Sequence, residues 1–162
     1  MLWSPQKIYE EEPFELESDL EAAILKAQDV LFGRSRIYLD VKKKIGIRGG
    51  IRNIPDAYLI DLTSKKEPRL YVVENELARH EPLKHIAVQI LEFSLSFETT
   101  PQRVKEIVKA SLADNPEGWT KCERYAQENG FENVDYLLEK IIYPRESFNA
   151  LVIIDEVADE LE

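Results

Sequence analysis

The chain has 162 residues, 44% of them apolar, and a net charge of −10. That length suits one domain, or one domain with a small helical extension, and that apolar content supports a packed core rather than disorder. With no apolar run near the ~20 residues a membrane helix needs, no charged-then-apolar N-terminal signal and Cys122 as the only cysteine, the sequence excludes a membrane-spanning helix, an intrachain disulfide and a four-thiolate zinc site. A soluble, cytoplasmic protein with a structural cysteine is expected.

Residues 1–17 mix Trp3, Pro5 and Pro13 with the acidic run Glu10 to Glu12 and show no periodicity, so they read as an irregular arm. Ser18 with Glu21 three residues on has capping-box spacing, and Leu20, Ile24, Leu25 and Leu31 form an apolar stripe ending at Gly33. This predicts a first helix over about 19–32. Arg36 to Val41 alternates as a strand does. Gly49-Gly50 reads as a tight turn, because a phosphate loop needs a wider glycine spacing and a lysine-serine ending. Two further strand-like runs follow, Ala57 to Leu62 and the run closing on Val72-Val73-Glu74-Asn75-Glu76. Strands in direct succession imply hairpin or meander pairing.

Helical spacing returns from Pro82 to about Phe97, with Ile86, Val88, Ile90, Leu91 and Leu95 apolar. Thr100-Pro101 reads as an N-cap with proline at the first helical position, starting a helix that runs to about Ala113. Another begins at Glu117 after Pro116, and Val134 to Ile142 is a last amphipathic stretch. Ala150 to Asp155 is a short apolar run expected to be a buried strand that rejoins the sheet. An acidic helix start follows and the chain stops at Glu162 without a cap, the pattern of a domain cut from a longer protein. The expected organisation is an arm at 1–17 and a single domain at 18–162, of class α/β or α+β, with a mixed central sheet flanked by helices. Its helices at about 100–145 form an insertion that either caps the sheet or offers a homodimer interface.

Charge is unevenly spread. Between Arg34 and Arg52 lie Arg34, Arg36, Lys42, Lys43, Lys44, Arg48 and Arg52 against one acid, Asp40, a net +6 that leaves −16 on the remainder. A polyanion contact and a solvated hairpin both account for such a stretch. The aromatic residues Trp119, Tyr125, Phe131 and Tyr136 follow helical segments and read as packing residues rather than a base-stacking platform.

The most informative residues are acids at strand ends. Residues two apart on a strand share a face, so Glu74 and Glu76 project together while Asn75 points away. If Asp56 opens the adjacent strand, three carboxylates share one small volume and suit a hard divalent cation, which takes oxygen ligands and retains waters. His80 and His85 are five apart, which does not stack two imidazoles on one helix turn, so a zinc site is not expected.

Glu21 in a first helix, Pro55-Asp56 leading a strand, Glu74-Asn75-Glu76 ending the next and Gln89 in the helix after it resemble the PD-(D/E)XK nuclease superfamily. The resemblance covers about residues 18–97, and the strand at 150–155 suits the same sheet. Pro55-Asp56 matches the first motif and Glu74 the acidic position of the second; the departure is Glu76, where the family usually has lysine, although some restriction-type members carry glutamate. The resemblance implies a restriction-endonuclease-like fold and Mg²⁺- or Mn²⁺-dependent hydrolysis of phosphodiester bonds in DNA, or RNA as the second choice. It implies Asp56, Glu74 and Glu76 at the metal, Glu76 as base or third ligand, and Gln89 and Glu21 as an outer set, with Glu21 reaching the ion through water. Lys42, Lys43, Lys44, Arg48, Arg52, Arg79, His80, Lys84 and His85 are the candidate nucleic-acid contacts. Two rivals remain open: an inactive module of the same fold that binds nucleic acid or a protein, and a hydrolase of another phosphate ester.

Overall fold

A computed structural model of the chain describes residues 2–4, 7–9, 13–41, 54–80, 82–144 and 146–156. The basic positions Lys42, Lys43, Lys44, Arg48 and Arg52, and the acidic end after Glu156, lie outside the described residues. The arm expected to be irregular contains strands β1 (Leu2–Ser4) and β2 (Lys7–Tyr9), paired antiparallel with Trp3 opposite Ile8. Three-residue strands are too short to show alternation, so the pairing makes them visible where periodicity does not.

Helix α1 (Glu17–Phe32) begins earlier than the capping-box reading requires: Leu16 is the N-cap and makes no side-chain cap bond. Ser18 lies inside the first turn, and Glu17 and Asp19 there complement the positive end of the helix dipole. Ser18 is therefore not the N-cap that the capping-box spacing with Glu21 requires. The helix stops at Gly33, which adopts φ +76° and donates its N–H to the Asp29 carbonyl.

Strands β3 (Arg36–Asp40), β4 (Ala57–Asp61) and β5 (Arg69–Glu76) form an antiparallel meander, and β6 (Ala150–Ile154) lies parallel to β5 at the sheet edge. A parallel neighbour requires a long crossover. Helices α2 (Pro82–Thr99), α3 (Pro101–Ala113), α4 (Pro116–Glu128) and α5 (Val134–Ile142) supply it. The architecture is mixed α and β, a four-stranded mixed sheet with helices on both faces. No helix among the described residues is long and apolar enough to cross a membrane.

Alternation along the strands divides the sheet into two faces. Ile37, Leu39, Val41, Tyr58, Ile60, Leu62, Leu70 and Val72 face a large cluster with Phe93, Val108, Leu112, Leu137 and Ile141, so α3, α4 and α5 cap the sheet. Trp119 and Phe131 pack against this cluster and Tyr125 belongs to it, while Tyr136 is more exposed and lies under the Lys140 ammonium. Cys122 is fully buried there, which pushes its thiol up to about 12 and leaves it a packing residue. Tyr38, Ala57, Leu59, Val73 and Leu77 face the smaller cluster with Leu20 and Ile24 of α1. Strand β6, expected to be buried, is half-exposed because it is an edge strand, with Leu151 and Ile153 packed on the smaller cluster.

Side chains fix the element ends. Arg36 pairs with Asp61 directly across β3 and β4 at 2.8 Å and donates to the Phe32 carbonyl, bringing a cation to the C-terminus of α1. This removes Arg36 from the basic stretch available to a polyanion. Thr100 is the N-cap of α3 but its hydroxyl donates to the Ser96 carbonyl, closing α2 instead of opening α3. Asn115 and Asn133 cap α4 and α5 through their side chains.

Gly118 brings α4 onto the sheet so closely that a β-carbon there would sit 2.8 Å from Ile37 Cγ2. Gly118→Ala is expected to destabilise the fold by about 1–3 kcal/mol through overpacking, despite alanine's better helix propensity, measured by urea denaturation.

Candidate functional site

One end of the sheet collects acids. There β3 ends at Asp40, β4 begins after Asp56, and β5 ends with Glu74, Asn75 and Glu76. The β4–β5 ladder carries Ala57 opposite Val73. Beyond that pair the Asp56 side chain replaces the ladder, its Oδ2 accepting the Asn75 main-chain N–H at 2.9 Å. The Asp56 carbonyl accepts the Val41 N–H at 3.2 Å, so Asp56 joins β3 and β5 at once.

Glu74 and Glu76 share the parity of Leu70 and Val72 and therefore leave the sheet on the face of the larger cluster, both only 5% exposed. Glu74 lies beside Tyr58, whose phenol is pushed up by burial and, secondarily, by the Glu74 charge. Asn75 projects to the opposite face, where its Nδ2 donates to the Tyr38 hydroxyl at 3.1 Å. Burial raises the Tyr38 phenol to about 12; the Asn75 hydrogen bond opposes this, and Asp56, Asp40 and Glu21 add to it. Glu21, half-buried on α1, therefore belongs to the α1 side of this acidic end, and Asp56 acts on both sides.

Gln89 occupies the sheet-facing stripe of α2, three residues after Ile86 and four before Phe93, both buried. Its Oε1 is sealed from solvent and accepts no hydrogen bond among the described residues. A polar group in that position costs stability and is usually kept for a reason. Arg79, by contrast, is engaged: its guanidinium donates to the Glu15 carbonyl. The side chains of His80, Lys84 and His85 lie outside the described residues, although their backbones form the turn and first turn of α2 that follow β5.

Among the described residues, no three His, Cys, Asp or Glu side chains form a metal-ligating group. The acids at this end are all oxygen donors, with Asp56 just before β4 and Glu74 on the neighbouring β5. That donor set suits a hard cation such as Mg²⁺ or Mn²⁺, which is commonly held by one or two carboxylates together with waters and substrate phosphate oxygens. Sequence reasoning missed Tyr38 and Tyr58, whose hydroxyls face the acids from β3 and β4, and treated Asn75 only as the residue facing away. The available signal was Tyr38 itself, a polar-tipped aromatic at an inward strand position.

No family model, curated protein or solved structure matches this chain.

The Gln89 placement generates a stability test. Gln89→Leu removes a sealed acceptor and extends the apolar stripe, so stability is expected to rise by about 1 kcal/mol in urea denaturation. A loss of similar size would identify Gln89 as a structural hydrogen-bonding residue.

Proposed function

We propose that the chain is a metal-dependent nuclease-like domain that hydrolyses phosphodiester bonds, in DNA in preference to RNA, with the sheet of a restriction-endonuclease-like fold. The observation that carries this reading is the Asp56 carboxylate fastened to the N–H of Asn75, next in the chain to Glu74. It is supported by the Pro55-Asp56 and Glu74-Asn75-Glu76 pattern, by the antiparallel meander with a parallel fourth strand, and by Gln89 on the inward stripe of the intervening helix.

In this reading Asp56 and Glu74 would hold Mg²⁺ or Mn²⁺, which would polarise a phosphoryl oxygen and make the attacking water more acidic. Glu76, on the same face as Glu74, accepts the proton of the attacking water as its oxygen bonds to phosphorus, the bond from phosphorus to the ester oxygen breaks, and that leaving oxygen takes a proton from solvent. A carboxylate serves as base where the lysine usual in the superfamily would hold the water and offset charge. Gln89 orients water or substrate from α2, and Glu21 supports the site from α1. The basic segment from Lys42 to Arg52 follows the nucleic-acid backbone, supplying the counterion release that the net charge of −10 otherwise opposes.

Glu76 in the lysine position and the lack of a three-ligand group among the described residues favour one second reading, an inactive module of the same fold that binds nucleic acid or a protein partner. Plasmid incubated with the protein and Mg²⁺ or Mn²⁺ separates the two. Cleavage is expected, lost in Asp56→Ala and Glu74→Ala and reduced by about a hundredfold or more in Glu76→Gln. Cleavage that persists in the first two variants removes those residues from the mechanism, and absence of both cleavage and Mn²⁺ binding in the wild type favours the inactive module.

A further inference from the structure

Asn75 stands between the two glutamates of β5 yet sends its side chain to the other face of the sheet. That side chain is 3% exposed, and among the described residues the Tyr38 hydroxyl is its only hydrogen-bond partner, since Oδ1 accepts nothing. Tyr38 is on β3, two strands away, and its Cα partner on β4 is Leu59. The bond therefore runs diagonally over Ala57, the small residue that lies between them in the same cluster. A larger residue at that point of β4 would obstruct the phenol. Tyr38 is itself held firmly, its ring stacked on Phe32 of α1 with centroids 5.4 Å apart and planes 4° from parallel.

Two hydrogen bonds thus leave one residue. The Asn75 amide reaches Tyr38, and its main-chain N–H reaches Oδ2 of Asp56. We infer that Tyr38 is a positioning residue for the acidic site, holding Asn75 so that its N–H orients the Asp56 carboxylate and its pleat sets the direction in which Glu74 and Glu76 leave the sheet. The inference rests on the metal-site reading above. Tyr38 touches no reacting atom; it acts through Asn75. The groups facing its hydroxyl are Asn75, Asp56, Asp40 and Glu21, and the phenol stays protonated beside them.

The test compares the wild-type full chain with Tyr38→Phe, which keeps the ring on Phe32 and removes only the hydroxyl. Mn²⁺ affinity is measured by titration calorimetry, and exchange of the main-chain N–H of residue 75 by NMR. Loss of a group that orients a ligand weakens metal binding roughly ten- to hundredfold. Tyr38→Phe is therefore expected to bind Mn²⁺ at least about tenfold more weakly, with faster exchange at the Asn75 main-chain N–H and unchanged exchange along the rest of β5. If Tyr38→Phe does not fold, Asn75→Leu carries the same test, because it removes the amide and leaves the main-chain N–H in place; it is expected to show the same losses. Unchanged affinity in the variant overturns the inference alone, and so does weaker binding with no change at the residue 75 amide. Absence of Mn²⁺ binding in the wild type overturns the reading of the site, and this inference with it.

Discussion

The hydrogen bond from the Asn75 N–H to Oδ2 of Asp56 is the constraint on which the acidic end of this protein depends. An antiparallel ladder that simply continued would hold β4 and β5 together through main-chain groups and leave the acids pointing wherever the pleat sent them. Pro55 has no N–H to offer such a ladder, so the chain entering β4 cannot pair fully on that side. Asp56 replaces the missing pairing with its carboxylate, while its carbonyl takes the Val41 N–H from β3. A residue that fastens β3 and β5 is thereby also an acid at the end of the sheet where Glu74 stands.

The two faces of the sheet contribute differently. The larger cluster, roofed by α3, α4 and α5, supplies most of the apolar burial and carries Glu74 and Glu76 at its margin. Glu74 and Glu76 are each only 5% exposed there, at the end of β5 on which the proposed chemistry rests. The smaller cluster beneath α1 does the holding: Phe32 fixes Tyr38, and Tyr38 fixes Asn75. Arg36 and Asp61 close the opposite end of the β3–β4 pair, where Thr63 also donates to the Asp61 carboxylate.

Much of this was legible in the residues. The apolar spacing that ends at Gly33, the alternation of Arg36 to Val41 and the proline starts at Pro101 and Pro116 each correspond to an observed element, because each rests on local backbone chemistry. Glu74 and Glu76 share a face, as the period of a strand requires. What failed depended on tertiary context. The Ser18 capping box fits the spacing rule, but the helix starts at Glu17 with Leu16 as its N-cap. The apolar Ala150 to Ile154 suggests burial on both sides, yet its place beside β5 is an edge, and only position in the sheet tells an edge from a centre. The Tyr38–Asn75 bond joins residues 37 apart in sequence across an intervening strand, which no local pattern encodes.

The most direct measurement is a crystal structure with Mn²⁺ introduced, read by anomalous scattering. The account predicts a single strong peak at the end of β4 and β5 with oxygens of Asp56 and Glu74 within about 2.0–2.6 Å of it, the range that hard divalent cations span. A peak elsewhere, or those two carboxylates too far apart to touch one ion, would contradict it.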